Sequence, residues 1–146
     1  MRLVDASVAI KWVLPEEYAE QAVKLRGDSL AVGDQMVYPP HMTSEVMNAI
    51  YRRTWRGDPG VRLTLEEADD AAAAFLSLSI RQIRSPRLYQ RAWMLAHSYR
   101  IPTIYDSLYV ALAELLDTPV WTADRRLQRT MGPDYPLVRW IGDYGA

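Results

Sequence analysis

Short apolar segments alternate with longer amphipathic segments along the chain, and this alternation limits the fold more than any other feature. The apolar segments predict strands at residues 2–4, 36–38, 79–83, 118–122 and 137–140. The amphipathic segments predict helices at residues 7–14, 16–26, 42–56, 64–78, 86–99, 106–116 and 124–131, with Gly27 as the stop of the second helix. Strands that alternate with such helices form a parallel sheet with right-handed crossovers. We therefore expect one α/β domain over residues 1–146.

The composition excludes several classes of protein. With 146 residues the chain is long enough for one domain with a substantial core. The absence of cysteine excludes disulfides and thiolate metal sites. The N-terminal segment carries Asp5 where a signal peptide needs an apolar run, and no stretch approaches the roughly 20 apolar residues that cross a bilayer. We expect a cytoplasmic protein that makes no contact with a membrane.

Four acidic residues stand at points where a strand is expected to give way to a helix. They are Asp5, Glu45, Asp106 and Asp124. Because the carboxyl ends of parallel strands meet at one edge of the sheet, these side chains can share one pocket. Carboxylates that lie close together stay ionised only with a cation, and oxygen ligands favour Mg²⁺ or Mn²⁺. The pattern favours a metal-dependent phosphodiester hydrolase.

Each acid also has a purely structural explanation. Asp5 and Asp124 belong to a residue type favoured at helix N-caps. Asp106 can complete a capping box with Thr103. Glu45 suits the positive end of a helix dipole. The metal site is preferred to these alternatives only because all four acids fall on the same edge of the predicted sheet.

Four polar or aromatic residues accompany the acids. Ser7 lies two residues after the first acid and Thr122 two residues before the last, and such hydroxyls can donate hydrogen bonds to carboxylates or to metal-bound water. Tyr109, one helical turn past the third acid, can stack on a base or pack in the core or in a dimer. His41 stands four residues before Glu45, where an apolar residue is expected.

Basic residues flank two of the acids. Asn48 and Arg52 share a helix face with the second acid, and Arg56 lies a turn further on. Arg125 and Arg126 follow the last acid directly. The net charge of -1 gives no general attraction for nucleic acid, so only a local basic stripe can contact a phosphate backbone. A solvated helix face is the alternative explanation for this stripe.

The segments around the acids resemble the PIN domain. The resemblance is carried by residues 4–8 (VDASV), 39–40 (PP), 44–49 (SEVMNA), 105–114 (YDSLYVALAE) and 122–127 (TADRRL). In order, spacing and chain length these segments resemble the VapC toxins of bacterial and archaeal toxin–antitoxin pairs. The resemblance extends from residue 3 to about residue 139, and its most specific parts surround Asp106 and Asp124.

The resemblance implies a three-layer α/β/α sandwich with a central, mainly parallel sheet of four to five strands. It implies an endoribonuclease that depends on Mg²⁺ or Mn²⁺, with the four acids as catalytic metal ligands. Ser7 and Thr122 are then supporting residues. From the helix face of Glu45 we add Asn48 as a further supporting residue, and we expect Arg52, Arg56, Arg125 and Arg126 to contact the RNA substrate. A homodimer and a VapB-type antitoxin that blocks the site are also implied.

Other interpretations explain the sequence less well. A phosphatase of the haloacid dehalogenase type needs a second aspartate two residues after the first, where this chain has Ser7. A glycine-rich phosphate loop of the Walker type is absent from the sequence. The remaining alternative is a catalytically silent PIN-like module that binds RNA or a partner protein.

Overall fold

The chain folds around a five-stranded parallel sheet whose strand order reverses at its centre. In the computed structural model, which describes residues 1–145, the strand order is β3-β2-β1-β4-β5. The strands are β1 (Arg2–Val4), β2 (Met36–Tyr38), β3 (Arg81–Gln82), β4 (Val120–Thr122) and β5 (Val138–Trp140). Every neighbouring pair is parallel, which confirms the prediction of a mainly parallel sheet.

Within residues 1–145, seven α-helices flank the sheet and complete a three-layer α/β/α arrangement, as predicted. They are α1 (Ala6–Ala9), α2 (Ala19–Ala31), α3 (Met42–Arg52), α4 (Leu65–Leu76), α5 (Pro86–Tyr99), α6 (Ile104–Leu116) and α7 (Arg125–Met131). None of the helices in the described part of the chain is long and apolar enough to span a membrane.

The bounds predicted for the two helices near the N-terminus are wrong. The predicted helix 7–14 is the short α1 followed by a 3-10 turn, Ile10–Trp12. The second helix starts three residues later than predicted because Tyr18 adopts a left-handed backbone, with φ of 63°. It also continues through Gly27 to Ala31, and Gly33, with φ of +70°, lies in the turn that follows it.

Two later boundaries also differ from prediction. Helix α3 ends at Arg52 rather than at residue 56, because the amides of residues 53–55 bond to carbonyls three residues back and tighten the chain into turns. The strand predicted at 79–83 is reduced to β3, two exposed residues at the edge of the sheet.

The position of Asp106 differs from the expected one. No strand precedes its helix; α6 begins at Ile104, after α5 and a short connection, with Thr103 as the N-cap. The Thr103 hydroxyl accepts a hydrogen bond from the Asp106 amide at 3.1 Å. Seven consecutive residues of α6, from position 107 to 113, are buried, so the helix is enclosed by the protein and holds Asp106 firmly at its first turn.

The core explains why the central strands are so short and apolar. Leu3, Val37 and Val120 are fully buried, one on each of the three central strands. Strands covered on both faces need apolar residues at successive positions. The order reverses between the two neighbours of β1, and ligands of open α/β sheets bind at such a point, beyond the carboxyl ends of the strands.

The predicted capping box at the start of α4 is present and gives a stability test. Thr64 accepts from the Glu67 amide at 3.1 Å and donates its own amide to the Glu67 carboxylate at 2.7 Å. We expect Thr64→Ala to lower the free energy of unfolding in urea by about 1 kcal/mol. Glu67→Gln keeps the box, so a loss as large as that of Thr64→Ala would contradict this explanation.

Candidate active site: a cavity lined by four carboxylates

The first and last acids lie side by side at the ends of two paired strands. Strands β1 and β4 are in register, and the Asp5 amide donates to the Trp121 carbonyl at 3.1 Å. Asp5 caps α1, and its carboxylate accepts from the Val8 amide at 3.1 Å. Asp124 caps α7 and accepts from the Arg126 amide at 2.7 Å. Both acids are therefore N-caps, as the structural explanation proposed, and also neighbours on the sheet edge.

A network of hydroxyl groups connects these two acids. Ser7 donates to Asp5 Oδ1 at 2.5 Å, and Thr122 donates to Asp5 Oδ2. Each hydroxyl also accepts from the segment that follows β4: the Ala123 amide donates to Ser7 Oγ at 2.8 Å, and the Asp124 amide donates to Thr122 Oγ1 at 2.9 Å. Both carboxylate oxygens of Asp5 are thus occupied, and the two hydroxyls fix one acid relative to the other.

The four predicted acids line one small cavity. Its volume is about 150 Å³, and its lining is Asp5, Ala6, Ser7, Glu45, Asp106, Tyr109 and Asp124. Glu45 comes from the first turn of α3 and Asp106 from the first turn of α6. Each of these helix N-termini brings a partial positive charge toward its acid.

Burial and mutual repulsion disfavour the ionised form of three of the acids. Burial raises the pKa of Asp5 to about 6, and hydrogen bonds from Ser7 and Thr122 offset only part of that effect. Burial also raises the pKa of Glu45 and of Asp106. The charges of neighbouring acids add to the pKa shift in all three cases.

The donor set suits a hard cation, although the side chains do not converge on one point. Within residues 1–145, no three His, Asp or Glu side chains lie close enough together to hold a metal ion. Carboxylate oxygens of Asp5, Glu45 and Asp124 accept hydrogen bonds from protein donors. Glu45 Oε1 and Asp124 Oδ2 accept no hydrogen bond from the described residues, so they remain available as ligands. An all-oxygen set is the chemistry that Mg²⁺ and Mn²⁺ prefer.

Two residues of the site contact Glu45. Tyr109 is 2% exposed, so it cannot stack on a base, and its hydroxyl donates to Glu45 Oε2 at 2.5 Å. His41 Nε2 lies 3.4 Å from the same oxygen. Burial lowers the pKa of His41 to about 4, so its ring is neutral at neutral pH. The spacing of four residues from Glu45 was the only sequence signal for His41, and nothing in the sequence paired Tyr109 with Glu45.

The predicted RNA-binding residues lie in two places. Arg52 and Arg56 line a separate cavity of about 440 Å³. Asn48 is exposed on α3 and does not line the acidic cavity. Arg126 lies beside the acids, with a nitrogen 4.0 Å from Asp106 Oδ2. Arg125 stacks on the ring of Trp140 at 3.4 Å from its centroid.

Sequence comparison identifies the class of protein that this fold and cavity define. The sequence model of the PIN domain matches residues 2–132. The chain therefore belongs to the PIN domain family.

Within that family the chain is similar to ribonucleases named VapC. Ribonuclease VapC1 of Mycobacterium tuberculosis is 35% identical over 131 residues, which cover 89% of this chain and 90% of the relative. Ribonuclease VapC12 of the same species is 32% identical over 135 residues, covering 90% and 93%. Ribonuclease VapC9 is 27% identical over 138 residues, covering 94% and 97%. The resemblance to VapC proteins seen in the motifs is confirmed.

The buried Asp5 predicts an unusual response of stability to pH. Its folded-state pKa of about 6 exceeds the ordinary 3.8, so the folded protein binds this proton more tightly than the unfolded chain. The stabilisation is fully present below pH 3.8 and is lost as the pH rises through 6. In EDTA at pH 7, Asp5→Asn should therefore raise the free energy of unfolding by about 2–3 kcal/mol.

The same measurement at lower pH provides the control. Urea denaturation near pH 4 should show no advantage for Asp5→Asn, because the wild-type carboxyl is then protonated. Asp58→Asn, at an exposed position outside the site, should change stability by no more than about 0.5 kcal/mol at either pH. A difference for Asp5→Asn that is independent of pH would contradict the assignment.

Proposed function

We propose that the protein is an endoribonuclease that uses Mg²⁺, or Mn²⁺, to hydrolyse RNA phosphodiester bonds in the cytoplasm. The observation that carries the proposal is the single cavity lined by all four acids, at the switch point of the sheet. Membership of the PIN family and similarity to proteins named as VapC ribonucleases support the same activity. In the proposed reaction water attacks the phosphorus and the bond to the 3′ oxygen breaks, so that the products carry a 5′-phosphate and a 3′-hydroxyl.

The proposed metal ligands are Asp5, Glu45, Asp106 and Asp124. The raised pKa values of Asp5, Glu45 and Asp106 are the cost that a divalent cation would offset. When bound, such an ion supplies Lewis-acid stabilisation of charge on phosphate oxygens and activation of water. The proposed role of Ser7 and Thr122 is to hold the carboxylate of Asp5 in one orientation through their hydrogen bonds.

The protein's own residues would also have to bind the RNA chain. Arg52 lies seven residues after Glu45 on α3, so the helix rise separates their Cα atoms by about 10 Å. Neither Arg52 nor Arg56 forms an ion pair within residues 1–145, whereas the adjacent Arg53 pairs with Glu16. We assign Arg52 and Arg56 to phosphates of the RNA on one side of the scissile bond, with Asn48 between them and the acids.

On the other side of the cavity, Arg126 is proposed to contact the RNA near the scissile phosphate. Its side chain is 60% exposed while one nitrogen stays within 4.0 Å of Asp106. Arg125 is the less direct candidate, because its guanidinium already lies over Trp140.

Two protein partners belong to the proposal. A VapB-type antitoxin is inferred from the VapC names of the relatives, and a homodimer from the resemblance to that group. Large apolar side chains on the surface support protein contacts: Trp93 is 61% exposed, Met94 57% and Leu65 74%.

Cleavage of RNA by acid variants tests the catalytic proposal. We expect wild type to cleave RNA in Mg²⁺ or Mn²⁺ and to stop in EDTA. Asp5→Asn and Asp106→Asn should each lose at least about 100-fold in rate, since the charge stabilisation supplied at such a site amounts to several kcal/mol. Asp69→Asn, on the exposed acidic face of α4, is the matched control and should cleave like wild type.

The same assay separates the proposed enzyme from its rival. Wild type that binds RNA without cutting it would support the catalytically silent module instead. Variants that cut as fast as wild type, or products with 5′-hydroxyl ends, would show that the acids do not act as proposed.

Binding of single-stranded RNA tests the basic residues of α3. In the inactive Asp5→Asn background, Arg52→Ala and Arg56→Ala should each weaken binding and reduce the salt dependence of log K by about 0.7. Arg87→Ala, on the exposed surface of α5, should leave both quantities unchanged. Fluorescence anisotropy over a range of salt concentrations measures the slope, and equal slopes for all variants would exclude this surface as the RNA path.

A further inference from the structure

Tyr109 makes a contact that the packing of α6 alone does not require. Its ring is buried, and the hydroxyl donates at 2.5 Å to Glu45 Oε2, 64 residues away in sequence. A buried phenol needs a hydrogen-bond partner, and most side-chain hydrogen bonds are made to main-chain groups or to water. Here the partner is a carboxylate of the site, so the hydroxyl selects which oxygen of Glu45 is occupied and which remains free.

His41 lies against the same carboxylate. Its Nε2 lies 3.4 Å from Glu45 Oε2, and its ring packs edge-on against Tyr109 with 4.8 Å between centroids. Within the described part of the chain both ring nitrogens are buried and complete no hydrogen bond. A neutral imidazole carries one N–H donor, and two acceptors lie near the ring, Glu45 Oε2 and the main-chain carbonyl of Tyr105. The ring thus lies against Glu45 Oε2, on the side of this carboxylate that Tyr109 also contacts.

We propose that Tyr109 and His41 are positioning residues that hold Glu45 Oε2, so that Oε1 is presented to a divalent cation in the acidic cavity. The proposal rests on the proposed metal-dependent function. Neither residue acts on RNA directly, because the Tyr109 ring and both His41 nitrogens are shielded from solvent. Their effect is transmitted through Glu45 alone.

A double-mutant cycle on Mn²⁺ binding tests this dependence on Glu45. Calorimetric titration with Mn²⁺ compares wild type, Tyr109→Phe, Glu45→Gln and the double variant. We expect Tyr109→Phe to weaken Mn²⁺ binding by about 10- to 100-fold in the wild-type background, as loss of a partner behind a metal ligand does. In the Glu45→Gln background the same change should alter the Kd by less than about twofold, because the carboxylate it orients is gone.

The matched control is Tyr135→Phe. The Tyr135 hydroxyl donates to Glu114 Oε1 at 2.7 Å, so the variant loses the same kind of hydrogen bond outside the acidic cavity. It should bind Mn²⁺ like wild type whatever its effect on unfolding. His41→Leu gives a second test: removal of an unsatisfied buried ring should leave stability unchanged or higher, yet Mn²⁺ binding should fall about 10-fold.

The outcomes separate this inference from the proposed function. Tyr109→Phe with wild-type affinity, an equal loss in both backgrounds, or no Mn²⁺ binding by wild type overturns the positioning role. If Tyr109→Phe does not fold, an unchanged Kd for His41→Leu overturns it instead. If the Mn²⁺ cycle behaves as expected but wild type cleaves no RNA, the nuclease proposal fails and the positioning role stands.

Discussion

The hydrogen bonds that join Asp5 to Ser7 and Thr122 are the interaction on which the acidic cavity depends. They connect the ends of β1 and β4 at the point where the strand order reverses. Thr122 also accepts from the amide of Asp124, so one hydroxyl positions two acids from two strands. Both strands have only three residues, and a backbone ladder that short would not fix the side chains beyond its end without this network.

Burial of the acids in this arrangement lowers the stability of the folded protein when they are ionised. Burial of Asp5 raises its pKa, and the charge of Asp124 raises it further. The ionised carboxylate is therefore less stable in the folded protein than in water. The N-terminal turns of α3 and α6 bring favourable dipoles to Glu45 and Asp106, yet the pKa of each remains raised. A cation that neutralises these carboxylates would remove part of their repulsion, and its binding would therefore stabilise the folded protein. Such a cost is typical of functional sites rather than of structural caps.

The sequence predicted the elements well because their signals are local. Helix capping by Asp5 and Asp124 was the structural alternative that their own neighbours offered, and the parallel sheet was predicted from the alternation of segments. The early end of α3 was missed because the chain must turn there to return the Leu63 amide to the Arg53 carbonyl, a contact across ten residues. The pairing of Tyr109 with Glu45 was also missed, because the two residues are 64 positions apart in sequence and no local pattern encodes their contact.

The four acids form two structural pairs of different origin. Asp5 and Asp124 are fixed to each other through the sheet edge, whereas Glu45 and Asp106 stand on α3 and α6, which the Tyr109 hydrogen bond connects. A cation in the cavity would therefore join a strand pair to a helix pair, and the distance between the pairs determines whether the ligands can converge. Because α3 carries Arg52 as well as Glu45, RNA bound along that helix as proposed would act on the same distance. Under that proposal the RNA and the cation should change each other's affinity by the same factor, because coupling between two binding sites is reciprocal.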